Sequence, residues 1–291
     1  VEKKRMEASA RLTCSFLGLK EGDSALLCMP LQYIAGKMVV VRSLVSGLRL
    51  IPMAPSGHPL KDLKEAPTFA AMIPMQVYNT LQVPEEKAIL MGIKHLIIGG
   101  GSIDDALANE LMNFPNQVWS TYGMTETLSH IALRRLNGTD ASDWYTPFDN
   151  VRIRLSEEGT LIIHAPNVCA EELITNDIAE INEEGKFRIL GRKDNTINSG
   201  GVKIQIEQVE SHLKKHLDTP FLISARKDAK FGEIVVLIYI KVETEDDIRR
   251  VCESELPTYW VPKAYIAVDE LPMTGTGKPD RASARRIANG E

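Results

Sequence analysis

Cysteine is scarce in this chain. Its four residues among 291, Cys14, Cys28, Cys169 and Cys252, lie far apart with no CxxC pair. That spacing argues against a disulfide framework or a clustered zinc site and reads as free thiols in a reducing, cytoplasmic compartment. Long apolar runs are missing as well: no stretch reaches the roughly 18 residues of a membrane span. The opening Val1-Glu2-Lys3-Lys4-Arg5-Met6 lacks the apolar core of a secretory signal. There is no excess of positive charge. The net charge is −5 and the basic clusters are short, Lys3-Lys4-Arg5 and Arg134-Arg135, which argues against nucleic acid and anionic membranes as partners. No internal repeat and no low-complexity segment is evident, and an initiator methionine is lacking, so the chain reads as a fragment of a longer protein.

What remains is an ordinary globular composition, 44% hydrophobic and 25% charged, with room for two domains. Short apolar runs at 25–28, 48–51, 69–73 and 95–98 predict buried strands, and the segment between the first two predicts a helix over 37–45. Gly99-Gly100-Gly101 follows the fourth run at once. Ser102 then caps a helix over 106–111, with Asp105 completing a variant capping box. Strand, glycine turn and capped helix form the grammar of a doubly wound α/β sheet, in which ligands bind beyond the strand C-termini.

From about Asn150 the pattern changes. Alternation at 151–155, 160–163 and 187–190 predicts antiparallel strands, with turns at Glu158-Gly159 and Glu184-Gly185. After Asp194 comes an α+β block: a helix over 207–216, strands over 221–225 and 234–241, a helix over 245–255 and a strand over 264–268. The expected fold class is therefore α/β. A large domain over 1–193 contains doubly wound sheet and an antiparallel β portion, and a small α+β domain covers 194–291.

Tyr122-Gly123-Met124-Thr125-Glu126-Thr127 carries the densest chemistry. Tyr122 offers a flat face for a base, and Gly123 lets backbone approach a ligand. Thr125 offers a hydroxyl to a phosphate, and Glu126 an oxygen ligand to a hard cation such as Mg²⁺. Each has a plainer reading as loop or surface. Thr274-Gly275-Thr276-Gly277-Lys278 is not a P-loop, because the first glycine of that pattern would fall at Pro272 and Pro279 follows the lysine.

Taken in order with Gly191-Arg192-Lys193-Asp194-Asn195 and Ser199-Gly200-Gly201, these motifs resemble the adenylate-forming superfamily of acyl-CoA synthetases, adenylation domains and luciferases. The resemblance runs over nearly the whole chain. It implies ATP, Mg²⁺, coenzyme A and a small carboxylic acid as reactants, with a homodimer as one option for the quaternary state. It places Gly99, Gly100, Gly101 and Tyr122 around adenine, Thr125 on phosphate, Glu126 on the metal, and Lys278 between the carboxylate and α-phosphate. Thr175-Asn176-Asp177 stands where the family usually has Thr-Gly-Asp, which puts Asp177, with Arg192, on the ribose. Asp194 falls on the hinge of domain rotation, and Gly200 and Gly201 fall beside the thiol channel.

Pro30-Leu31-Gln32-Tyr33-Ile34-Ala35-Gly36 resembles the acyl-pocket motif, with Gln32 and Tyr33 departing from it. Tyr33 and Gly36 are thereby placed at the acid. Arg42, inside the otherwise apolar Met38–Val45, has two readings: a solvated helix face, or a bidentate partner for a second substrate carboxylate. With that arginine and Ser199–Ile204, the chain looks most like the o-succinylbenzoate–CoA ligases of menaquinone biosynthesis. Another acyl- or aryl-CoA synthetase, a carrier-protein adenylation domain and a catalytically inactive nucleotide binder are the alternatives. The family's Ser/Thr/Gly-rich phosphate loop is absent from the sequence, and truncation is the expected reason.

Overall fold

The structure is a computed structural model, and it describes residues 2–101, 103, 105–242, 244–274 and 278–291. The Ser102 cap, and Gly275, Thr276 and Gly277 of the last motif, lie outside the described residues. The chain divides into two compact units. The first comprises Val1–Ser156, Ile162–Thr175 and Ile181–Arg188; the second comprises Glu157–Leu161, Asn176–Glu180 and Ile189–Glu291.

The first unit begins α1 (Lys3–Leu17), β1 (Ser24–Leu27), α2 (Ile34–Ser46), β2 (Arg49–Pro52), β3 (Phe69–Met72), α3 (Pro74–Leu81), α4 (Pro84–Gly92) and β4 (His95–Ile98). It continues with α5 (Asp105–Leu111), β5 (Gln117–Gly123), β6 (His130–Arg135) and β7 (Thr146–Pro147). These strands make one seven-stranded sheet in the order β2-β1-β3-β4-β5-β6-β7. The pairings from β2 to β5 are parallel, while β6 and β7 join antiparallel.

Why the apolar runs become parallel strands is visible in their burial. Alternate residues face two cores. Leu26, Ala70, Met72, Leu96 and Ile98 pack with Val77, Leu90 and Leu111 from α3, α4 and α5. Ala25, Leu27, Phe69, Ala71 and Ile97 pack with Cys14 and Leu17 from α1 and Val39 from α2. Burial on both faces is what a continuous apolar run encodes. Strand order reverses between β1, which leads through α2 to β2, and β3 on its other side, so a crevice opens at the carboxyl ends of β1 and β3.

Four further strands, β8 (Arg152–Leu155), β9 (Thr160–His164), β10 (Leu173–Ile181) and β11 (Phe187–Arg192), form a sheet in the order β11-β10-β9-β8. The second unit continues with β12 (Thr196–Ser199), β13 (Val202–Gln205), α6 (Ile206–Leu213), β14 (Phe221–Asp228), β15 (Gly232–Ile240), α7 (Glu245–Glu255), β16 (Ala264–Val268) and α8 (Arg281–Asn289). Its sheet runs β13-β12-β15-β14, with β16 parallel to β15. Alternation again splits two cores. Ile223, Val235 and Leu237 meet α6 and α7 through Val209 and Ile248, and Leu222, Val236 and Ile238 meet α8 through Ala284 and Ala288.

Several boundaries differ from the sequence expectation. Helix α2 starts at Ile34 rather than Lys37, and α6 ends at Leu213 with turns continuing to His216. Helices α1, α3, α4 and α8 were not expected; α3 and α4 each open on a proline and run only 8 and 9 residues, a proline position that suits a helix start. No helix among the described residues is long and apolar enough to cross a membrane.

One ion pair ties three elements of the second unit. Arg281 at the start of α8 donates to both carboxylate oxygens of Glu210 in α6, at 2.6 and 2.7 Å, and Glu210 also accepts the Ile223 amide of β14 at 2.8 Å. The carboxylate is buried, so removing it leaves a partly buried guanidinium and an amide unpaired. Glu210→Ala should cost about 3 kcal/mol. Amide exchange along Phe221–Asp228 should speed up by roughly a hundredfold, a factor of ten for every 1.4 kcal/mol. Unchanged exchange would show the pair to be energetically neutral.

Candidate active site

A cavity of about 200 Å³ opens at the carboxyl ends of the parallel strands of the first unit. Its wall takes Met29 after β1, Met72 and Ile73 at the end of β3, Gly99 and Gly100 after β4, and Thr121 and Gly123 from β5. Ile34, Ala35 and Arg42 of α2 close one side, with Leu128, Ser129 and His130 leading into β6.

Two glycines here answer to close approach. A Cβ on Gly99 would lie 2.2 Å from Thr121 Oγ1, and one on Gly123 would lie 2.4 Å from both His130 Cα and the Ser129 carbonyl oxygen. Gly123 also sits where the β5–β6 register shifts. Gly36 serves α2 in the same way, since a Cβ there would meet the Pro30 carbonyl oxygen at 2.5 Å. Gly100 takes a positive φ of 78°. Gly101 is exposed.

Strand alternation sends Thr121 and Gly123 to the cavity and Tyr122 to the opposite face. There Tyr122 packs edge-on against Phe187, with ring centroids 5.0 Å apart, and tilted against Tyr145 at 5.8 Å. The turn that follows is held by a residue for which the sequence suggested no role. Thr127 is fully buried, its hydroxyl accepts the Met124 amide at 3.0 Å, and it lies 2.7 Å from the Ser129 carbonyl oxygen. This staple leaves Thr125 and Glu126 exposed. Both line a second depression with Arg5, Val168 and Cys169. The Glu126 carboxylate makes no ion pair among the described residues, so its oxygens are available to a hard cation such as Mg²⁺.

Arg42 resolves its two readings in favour of burial. It is 2% exposed. Nη2 donates to Ser129 Oγ at 2.7 Å, while Nε is buried without a partner among the described residues. Burial pulls the guanidinium down to about 10, which still leaves it cationic at neutral pH. Cys14 interacts with it electrostatically, but burial pushes that thiol up, so Cys14 supplies no counter-charge there. An unpaired buried cation is costly, and a ligand anion relieves that cost. Tyr33, by contrast, is 61% exposed and does not line the cavity; its neighbours Ile34 and Ala35 do.

Ser129 continues to His130, whose Nδ1 lies 3.3 Å from Ser129 Oγ. Nε2 of His130 lies 3.0 Å from Thr13 Oγ1 in α1, and that hydroxyl donates to the Ser9 carbonyl oxygen at 3.3 Å. Burial first, and then the Arg42 charge, hold the His130 imidazole well below its ordinary range. Ser129 and His130 follow one residue after the Tyr122–Thr127 motif, and two polar residues ahead of the apolar Ile131-Ala132-Leu133 were the one sequence signal for them.

The second unit gathers another set. Arg192 lies 3.5 Å from Asp177 and 3.2 Å from Asp194, and Asn176 donates to Asp194 at 3.2 Å. Asp194 sits in a single 3₁₀ turn over Lys193–Asn195. Gly200 and Gly201, with φ of 58° and 86°, form the two-residue hairpin between Ser199 and Val202, a type I′ geometry that glycine suits. Lys278 is exposed, and its carbonyl oxygen accepts the Thr274 amide at 2.7 Å.

Comparison with known proteins accords with this arrangement. The AMP-binding enzyme family matches residues 5–173, and the AMP-binding enzyme C-terminal domain matches residues 222–278. A 2-succinylbenzoate–CoA ligase of Bacillus mycoides is 26% identical over 306 aligned residues, covering 93% of this chain and 63% of the relative. The chain thus spans less than two-thirds of the length of that curated relative. Among solved structures, an acyl-CoA synthetase (AMP-forming)/AMP-acid ligase II-like protein from Dyadobacter fermentans is 32% identical, with a TM-score of 0.67, covering 97% of this chain and 83% of that one. The o-succinylbenzoate CoA synthetase of Bacillus subtilis, solved with its acyl-adenylate intermediate, shares the fold at a TM-score of 0.80 and 22% identity, over 97% of this chain and 64% of its own. The glycine-lined strand ends, the stapled Thr125-Glu126 turn and the two-part match lead to one conclusion: this chain belongs to the AMP-binding enzyme family.

Proposed function

We propose that the chain carries the acid-binding and adenylate-handling residues of an ATP-dependent acid–CoA ligase, and that its acid is an aromatic dicarboxylate of the o-succinylbenzoate type. The observation that carries this reading is Arg42: a buried cation whose Nε has no partner among the described residues, set in a cavity wall that is otherwise apolar or, at Thr121, Ser129 and His130, polar without a negative charge. Met29, Ile34, Ala71 and Ile97 suit a ring, and the guanidinium suits a carboxylate that does not react. The names of relatives in both comparisons support the same substrate class.

In this reading the reacting carboxylate attacks the α-phosphate of ATP, pyrophosphate leaves, and the thiol of coenzyme A then displaces AMP from the carbonyl. Glu126 would hold Mg²⁺, which would supply positive charge against the phosphates, and Thr125 donates to a phosphate oxygen. Tyr122 and Gly99–Gly101 border the base, and Asp177 with Arg192 takes the ribose hydroxyls. Lys278 neutralises carboxylate and phosphate where they meet. Residues 1–193 and 194–291 act as two domains turning about Asp194, and Gly200–Gly201 flank the incoming thiol.

Supplied o-succinylbenzoyl-adenylate and coenzyme A should give thioester and AMP in a single turnover. No thioester from any aryl adenylate would sink the ligase reading, and equal rates with benzoyl-adenylate would sink the dicarboxylate. Arg42→Ala should weaken o-succinylbenzoate binding by about 1.5–3 kcal/mol, the value of a charged hydrogen bond, and leave ATP binding unchanged in calorimetry. Lys278→Ala should abolish pyrophosphate exchange yet still convert the supplied adenylate. Equal damage to both steps would make Lys278 a structural residue.

A further inference from the structure

A guanidinium can only donate, and this fixes the direction of every hydrogen bond behind Arg42. Ser129 Oγ must accept from Arg42 Nη2, at 2.7 Å. Its single proton is then free for His130 Nδ1, at 3.3 Å, provided that nitrogen carries a lone pair. A neutral ring with Nδ1 bare holds its proton on Nε2, which faces Thr13 Oγ1 at 3.0 Å. The Thr13 hydroxyl accepts that hydrogen bond and donates its own to the Ser9 carbonyl oxygen at 3.3 Å. In this direction all four contacts are satisfied. With the proton on Nδ1, Ser129 would face two donors, and Thr13 would have to turn its proton from Ser9 to the ring.

We propose that Ser129, His130 and Thr13 are positioning residues for Arg42: a one-way hydrogen-bonded chain, with His130 in the Nε2–H tautomer, that occupies Nη2 and keeps Nε free for a ligand carboxylate. The inference rests on the proposed role of Arg42. It adds three residues to which neither the family resemblance nor the comparisons give a role. The ring is fixed from its side by Phe148, which packs against it edge-on at 5.5 Å. Thr13 lies 117 positions from His130 in sequence, so α1 contributes to the cavity without touching its surface. Burial of the ring beside the Arg42 charge keeps it from taking a second proton, which would set a second donor against Ser129 Oγ and a second positive charge beside Arg42.

Two measurements test this. Nitrogen-15 NMR of the ligand-free chain at neutral pH should show His130 neutral and protonated on Nε2. A ring protonated on Nδ1, or on both nitrogens, would overturn the proposal whatever the substrate is. The second measurement compares His130→Gln, which offers an amide acceptor and donor in place of the two nitrogens, with His130→Leu. His130→Leu should raise the KM for o-succinylbenzoyl-adenylate roughly tenfold, about the worth of one hydrogen bond to a charged group. Its kcat, and its KM for benzoyl-adenylate, should be unchanged. His130→Gln should restore the KM. Equal losses on both adenylates, or no rescue by glutamine, would mean that His130 only packs. Thr13→Val keeps α1 and removes the acceptor of Nε2–H; it should shift the ring's tautomer balance, and an unaltered spectrum would sever Thr13 from the chain. If wild type handles the two adenylates alike, the dicarboxylate reading fails and the tautomer measurement still decides the hydrogen-bonded chain.

Discussion

The parallel strands of the first unit are covered on both faces, with α3, α4 and α5 on one side and α1 and α2 on the other. A sheet buried in this way has no free face to offer a ligand, so recognition is confined to the ends of its strands. The residues with evident chemistry in this unit obey that constraint. Gly99 and Gly100 end β4, Gly123 ends β5, and Met72 and Ile73 lie at the end of β3. Helix α2 reaches the same edge because Gly36 lets it lie against the carbonyl of Pro30. Arg42 is carried there by the packing of a helix rather than by a loop.

Buried charge is handled differently in the two units. At Glu210 and Arg281 the second unit buries opposite charges together, with the carboxylate further satisfied by the Ile223 amide. At Arg42 the first unit buries one charge and gives it only a neutral hydroxyl. The first arrangement is complete in itself, whereas the second leaves a demand that a ligand can meet. The turn at 124–129 shows a third economy. Leu128 adopts φ of 64°, a conformation that costs a non-glycine residue about 1–2 kcal/mol, and the buried Thr127 hydroxyl holds the turn that contains it.

Much of the fold could be read from the sequence because both-face burial leaves an unbroken apolar signature, as at Ala25–Leu27, Phe69–Met72 and His95–Ile98. Strand β5 was hidden because it runs into the Tyr122–Thr127 motif. Tyr122 and Gly123 drew attention as a ligand turn, although Val118, Trp119, Thr121 and Tyr122 have the β-branched and aromatic character of a strand. Helices α3 and α4 are too short to show a helical period, and only their opening prolines announced them. For the site, the motif residues were visible as residue types, and Arg42 as an anomaly in an apolar run. Its burial was not legible, since a helix that mixes Met, Val and Leu with Lys37, Ser43 and Ser46 can turn Arg42 either way. The partnership of His130 with Thr13 was beyond reach for a simpler reason: nothing local marks two residues 117 positions apart as neighbours.

The contact between Gly99 and Thr121 makes two positions behave as one. The threonine hydroxyl fills the space in which any side chain at position 99 would begin. The width of the cavity at that point is therefore set by a pair, and position 99 cannot grow while Thr121 keeps its place. Enlarging position 99 demands a smaller residue at 121, and the two changes together are milder than their separate effects imply. For anyone reshaping this pocket, the accessible route is diagonal, exchanging bulk across the two strands instead of adding it to either.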